Sequence, residues 1–331
     1  MIDVSITARS PIADIRREAA YATPALPDYG WWIGGGMIAS LAALAGMMHL
    51  AGLSIDPSNV DNMPFYVAGL ILLVLRFGLR NNNWRHARAV ADCAEYYGVF
   101  TMLALMGAVA SYPVATMTGG FHDAALQRID VMLHFDWLAW YRLVAATPVL
   151  QWLGLAAYRS IYLTPAILFA IFAFAGDRVA AHRFLAVFWL TAIGTLILYA
   201  FMPAVGPFSY LWHHPIAYMP ESEQWQQGLI PALRAHTERV VDLGHLRGIV
   251  SAPSFHAAAA TLYINAAWRM PRLRWPVLAL NAAMLLSTPV EGTHYLIDIL
   301  LGTMVALAAI ATLHRIMPRE IMSVAAAHPP R

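Results

Sequence analysis

The stretch HYLIDILLGTMVALAAIATLHRI, residues 294–316, decides the fold. Its 23 residues hold one acid, Asp298, and one base, Arg315. That length exceeds the roughly 20 mostly apolar residues a helix needs to cross a bilayer. The polar groups gather at its head, where His294 and Asp298 sit, and at its foot, where His314 and Arg315 sit. Working outward, seven more stretches read the same way, at 31–53, 63–79, 96–118, 149–175, 184–203, 253–270 and 275–290, the second and the last of these being short.

The chain is therefore expected to be an all-α integral membrane protein with about eight transmembrane helices. Residues 31–95 supply two additional N-terminal spans, and 96–316 a six-helix core of spans three to eight. Residues 1–30 and 317–331 read as terminal segments. Between spans three and four, residues 119–148 mix Asp123, Arg128, Asp130 and Asp136 with Trp137, Trp140 and Tyr141, a pattern suited to interfacial or re-entrant helices. Residues 204–252 read as one long polar loop.

Composition agrees. Hydrophobic residues make up 60% of the chain and charged residues 12%, against about a quarter charged in soluble domains. The net charge of +2 is carried in short clusters, which argues against nucleic acid as a partner. Every basic residue is Arg, and the sequence has no Lys. Cys93, the single cysteine, cannot form an internal disulfide. The first thirty residues have no apolar run and do not resemble a secretory signal peptide.

Positive loops stay on the cytoplasmic side. With the N-terminus inside, fifteen of the 21 Arg fall on inner segments and five on outer ones, with Arg159 inside a span. Both termini are expected in the cytoplasm of a bacterial inner-membrane protein, with the long loop and the start of the sixth span outside.

Two segments carry the chemistry. In Ser251-Ala-Pro-Ser-Phe-His256, Pro253 sits where a helix would begin and Ser251 or Ala252 where it would be capped. The free N–H groups of a helix start attract phosphate, and His256 falls in that first turn. In Glu291-Gly-Thr-His294-Tyr-Leu-Ile-Asp298, the last pair is four apart and would share one helix face. A carboxylate there can hold one ring nitrogen and leave the other free to attack. Ionisable groups at span ends are costly and usually functional, and all three reach the outer side.

Pro253-Ser254-Phe-His256 resembles the Pro-Ser-x-His motif of the type-2 phosphatidic acid phosphatase superfamily. Ser287 to Asp298 resembles its Ser-Arg-x5-His-x3-Asp motif, with Gly292, Tyr295 and Gly302 also in place. The resemblance implies a lipid-phosphate phosphatase or phosphotransferase with no metal or nucleotide. It implies His294 as nucleophile, Asp298 as its orienter, His256 as general acid, Ser254 beside the substrate phosphate, and Gly292 and Tyr295 in support.

Two departures stand out: the superfamily's first motif begins with Lys, and the Arg of its third motif is Thr288 here. These losses, together with Asp130 to Trp137, Ala157-Tyr-Arg-Ser160 and Pro203-Ala-Val-Gly-Pro207, resemble the inositol phosphorylceramide synthase branch. That branch implies an alcohol as phosphoryl acceptor in place of water. A phosphoryl transition state still needs positive charge, so Arg159 and Arg247 are the expected phosphate ligands. His213, His214, His236 and His245 match no metal-ligand spacing. The rival class is a proton-coupled transporter, which would place its ionisable groups at midplane in paired halves.

Overall fold

The computed structural model describes residues 29–224, 228–246 and 248–316. Among these residues the fold is all-α, without a β-strand: α1 (Tyr29–Ala51), α2 (Met63–Gly78), α3 (Ala87–Met117), α4 (Asp123–Met132), α5 (Trp137–Ala145), α6 (Pro148–Arg159), α7 (Leu163–Ala175), α8 (Arg178–Phe201), α9 (Pro207–Leu211), α10 (Leu229–Arg234), α11 (Phe255–Ala267), α12 (Arg274–Glu291) and α13 (Leu296–Ile316), with single 3-10 turns at Val60–Asn62 and Ser222–Gln224. The expected segments 1–28 and 317–331 lie outside the described residues.

Each expected span has a helical counterpart, but the count of candidate crossings is smaller than eight. Five helices are long and apolar enough by themselves, those at Ile33–Ala51, Val60–Gly78, Ala87–Met117, Arg178–Phe201 and Leu296–Ile316. The fourth stretch is broken. Helices α6 and α7 meet at a 42° bend and make a sixth crossing only as a pair. A break in apolar surroundings frees backbone groups that need partners, and the buried Tyr263 hydroxyl donates to the Ile161 carbonyl at the bend, at 3.0 Å. Helix α11 has only 13 residues, and Arg274, Asn281 and Glu291 reduce the apolarity of α12.

The core forms where α11 packs against α12, α13, α8 and α7. Ala257, Ala258, Ala259 and Ala260 are wholly buried and let neighbouring backbones approach. Gly302 of α13 lies so close to the Ser254 carbonyl and to Ala257 that a Cβ would collide, which fixes the start of α11 against the first third of α13. Helices α1 and α2 bury little of their surface, 6% of each apolar window against 50% for α3.

The 119–148 segment forms two short helices, α4 and α5, as its mixed composition suggests. The described residues of the 204–252 stretch carry more structure than a polar loop. It contains α9 and α10, and its scattered apolar residues Ile230, Leu233, Val241 and Ile249 pack on Met48, Leu53 and Tyr199. Backbone bonds Ser54 N to Arg239 O (2.9 Å) and Val241 N to Ser54 O (2.8 Å) stitch it to the α1–α2 connection.

Candidate active site

The link from α12 to α13 is a sharp turn. Gly292 touches His294 and Tyr158 so closely that a Cβ would lie 2.7 Å from the imidazole Cδ2 and 3.1 Å from the phenol ring. Thr293 takes a φ of 48°, unusual for a β-branched residue. Helix α13 therefore starts at Leu296, and His294 precedes it. This changes the expected His294–Asp298 geometry. The pair does not sit as two positions on one helix, and His294 Nδ1 is 3.7 Å from Asp298 Oδ2.

The imidazole is instead fixed by backbone. His294 Nδ1 lies 2.6 Å from the Ser251 carbonyl oxygen. A carbonyl only accepts, so Nδ1 carries the proton and Nε2 keeps the free lone pair. Asp298 completes the helix start. Its Oδ2 accepts the Tyr295 N–H at 3.0 Å and the Ser251 hydroxyl at 3.5 Å, while its own carbonyl accepts the Ser254 N–H at 2.9 Å. Asp298 thus joins the two motifs and acts on His294 through Ser251 as well as through space.

His256 occupies the first turn of α11. The N-cap is Ser254, not Ser251 or Ala252, and its oxygen accepts the Ala257 N–H at 3.4 Å. Ser254 is fully buried in that task, which places its hydroxyl on the helix rather than among the residues lining the cavity described below. The His256 ring stacks on Tyr158, centroids 3.9 Å apart and planes within 13°.

Both histidines line one cavity of about 300 Å³, with Tyr158, Ser251, Gly292 and Thr293 beside them. Arg159 lines it too, but at the end of α6 rather than deep in a span, and it is already paired. Its Nη2 and Nε lie 2.9 Å and 3.3 Å from the two Glu221 carboxylate oxygens. Arg247 lies outside the described residues. Thr288 is buried and donates to the Met284 carbonyl at 2.7 Å, so it offers no charge in place of Arg.

Several contributors escaped the sequence reading. Asp130 of α4 accepts the Leu296 and Ile297 N–H groups, at 2.8 Å and 3.0 Å, and so caps α13 from outside. Burial raises its carboxyl above the ordinary value, opposed by those two donors. Asp123, two helical turns earlier on the same face, accepts the Tyr295 hydroxyl at 3.0 Å and the Val205 and Gly206 N–H groups at 3.0 Å each. This gives Tyr295 a positioning part, tying α13 to the 203–207 turn. Trp137 of α5 donates to the Pro289 carbonyl at 2.7 Å. The signal was present as two acids seven apart in one short helix, α4.

A second acid web faces the cavity. Glu223 accepts from Thr293 Oγ1 at 3.1 Å and Ser209 Oγ at 3.2 Å, and burial pushes its carboxyl up against those donors. Glu291 accepts from the Tyr218 hydroxyl at 2.8 Å and the Glu221 N–H at 3.3 Å. Among the described residues, Asp61, Asp242 and His245 come together with candidate ligand atoms within 4.8 Å of one another. None of the three lines the cavity.

Comparison with known proteins adds one finding. The sequence model of the PAP2 superfamily matches residues 124–312, from α4 through most of α13. No curated protein and no solved structure matches the chain.

Proposed function

The chain belongs to the PAP2 superfamily, and on that premise we propose that it transfers the phosphoryl group of a lipid phosphate through a phosphohistidine at His294, at the outer face of the membrane. The observation that carries the reading is the 2.6 Å contact of His294 Nδ1 with the Ser251 carbonyl. It makes Nε2 the basic nitrogen of a ring that shares its cavity with His256.

Nε2 attacks phosphorus, an N–P bond forms, and the ester P–O bond breaks. His256 gives its proton to the departing alkoxide. In the second half, His256 takes a proton from the acceptor, whose oxygen attacks phosphorus and frees His294. Asp298 favours the cation that develops on His294, as a nearby carboxylate does. Arg159 supplies charge to the phosphate oxygens by leaving Glu221, a bidentate exchange of one oxyanion for another.

Water as acceptor makes a phosphatase, and this is the preferred reading. An alcohol makes a phosphotransferase, the outcome suggested by the branch that the missing Lys and Thr288 resemble. Purified protein supplied with a lipid phosphate, with and without inositol or a lipid alcohol and with and without chelator, separates the two. Release of inorganic phosphate unaffected by alcohol supports hydrolysis. A phosphorylated alcohol formed at the expense of free phosphate replaces it with transfer. Turnover that survives His294→Ala sinks the nucleophile assignment. A reporter fused within 204–252 that reads as cytoplasmic would overturn the orientation.

A further inference from the structure

Thr293, the residue before His294, holds a backbone conformation that a β-branched side chain rarely adopts, with φ at 48°. Glycine suits such a position without strain. Strained backbone persists where the surroundings over-determine it, and it gathers at functional sites. Around Thr293 the determining contacts all come from distant segments.

On one side stands the 203–207 turn, where a Cβ on Gly206 would lie 2.8 Å from the Thr293 carbonyl oxygen and 3.2 Å from its Oγ1. On the other stands the 3-10 turn Ser222–Gln224. Thr293 Oγ1 donates to Glu223 Oε1 at 3.1 Å. With that proton engaged, the Ser222 hydroxyl donates to Thr293 Oγ1 at 3.3 Å. Glu223 is 1% exposed, and among the described residues no Arg or His stands in ion-pair range of it. Its oxygens meet only the hydroxyls of Thr293 and Ser209 there. A carboxyl buried without a cation is costly, and an apolar side chain of similar volume would avoid that cost.

The strap that carries Glu223 is itself pinned. The Tyr141 hydroxyl donates to the Tyr218 carbonyl at 2.7 Å, and Glu291 accepts the Glu221 N–H at 3.3 Å. Glu221 also holds Arg159. Three consecutive residues, 221 to 223, thus reach both the arginine of the cavity and the turn that precedes His294.

We propose that Glu223 is a positioning residue for the nucleophile. Through Thr293 Oγ1 it holds the 292–293 turn in its strained form, and the turn in that form keeps the His294 imidazole on the Ser251 carbonyl. The proposal rests on the reading of His294 as the residue that takes the phosphoryl group. Without the hold of Glu223, Thr293 relaxes, the ring leaves Ser251 and its two neutral tautomers mix.

The test uses the detergent-solubilised full chain and two readouts. One is kcat and KM on a lipid phosphate. The other is the ¹⁵N NMR signal of the His294 ring, assigned by its loss in His294→Gln. Thr293→Gly accepts a φ of 48° without strain and removes the hydroxyl, so the fold stays while Glu223 loses its grip. It should lower kcat on the order of 10²-fold with little change in KM, and the ring should show both tautomers in place of one. Glu223→Ala should do the same, and the double variant should lose no more than either single one, because both break one link. Thr293→Ser and Glu223→Gln keep the hydroxyl and an oxygen to accept from it, and should recover most of the turnover.

A wild-type kcat or an unmixed Nδ1–H tautomer in Thr293→Gly would overturn the proposal. A loss in Glu223→Gln equal to that in Glu223→Ala would also overturn it, by giving the carboxylate a charge or proton role instead. Should Glu223→Ala fail to fold, Thr293→Gly decides alone. If wild-type protein turns over no lipid phosphate while Thr293→Gly still mixes the His294 tautomers, the phosphoryl reading falls and the positioning stands. Turnover that needs His294 but survives intact in Thr293→Gly does the reverse.

Discussion

The starts of α11 and α13 put two histidines into one cavity, and they hold them differently. At the α13 start most of the ties come from other parts of the chain, and one from Asp298 of α13 itself. Asp130 caps Leu296 and Ile297, Asp298 caps Tyr295, Asp123 holds Tyr295, and the Ser251 carbonyl fixes the ring of His294. At the α11 start the helix caps itself with Ser254. Among the described residues no hydrogen bond holds the His256 ring, which instead lies flat on Tyr158. A nucleophile gains from one fixed tautomer and one fixed direction, whereas a group that carries a proton out and back must face two partners in turn. The contrast in restraint suits the two roles proposed for His294 and His256.

The comparison breaks most sharply at His294. His294→Ala should reduce turnover of every substrate to background, measured as phosphate release. His256→Ala should lower turnover of lipid phosphates by about 10²–10⁴-fold, but much less for an aryl phosphate whose leaving group needs no proton. Equal losses on both substrates would show that His256 does not act as the acid. If Arg159 leaves Glu221 for the phosphate as proposed, Arg159→Ala should raise KM more than it lowers kcat. An unchanged KM would remove it from the phosphate.

Asp130→Ala leaves two N–H groups at the α13 start without their acceptor. It should cost about 0.5–2 kcal/mol of stability and lower activity through a displaced His294. A melting temperature and activity equal to wild type would mean the clamp is dispensable. The smallest effect belongs to Glu223. Because burial raises its carboxyl, the native state is favoured while the group is protonated, and that stability is lost as pH rises through the raised value. Glu223→Gln should therefore gain on wild type as pH rises through and above that raised value, read as a difference in melting temperature. The gap should close below roughly pH 4, near the ordinary glutamate range. A gap that widens in acid contradicts this.

What the sequence disclosed follows from how local each cause is. The apolar runs, the His256 and His294 segments and the glycines at 292 and 302 are short-range signals, and each found its place in a helix or at a helix start. The positioning acids were harder to read because their partners are distant in the chain. Asp123 and Asp130 act on α13, and Glu221 takes Arg159 from a loop on the other side of α8. The His294–Asp298 spacing brings the two side chains to 3.7 Å of each other but not as two positions of one helix, since the Gly292–Thr293 turn delays the helix to Leu296 and sends the imidazole to Ser251. The 204–252 segment looked polar because its apolar anchors are single residues with no period.

The central claim is that His294 carries the phosphoryl group. The most direct test is a rapid acid-free quench of the protein after mixing with a lipid phosphate labelled at phosphorus. The account predicts a protein-bound label that is stable in base, labile in acid and confined to the peptide containing His294. The label should be absent in His294→Gln and should accumulate in His256→Ala supplied with a good leaving group. Full wild-type turnover with no protein-bound label, or label on any other residue, would contradict it.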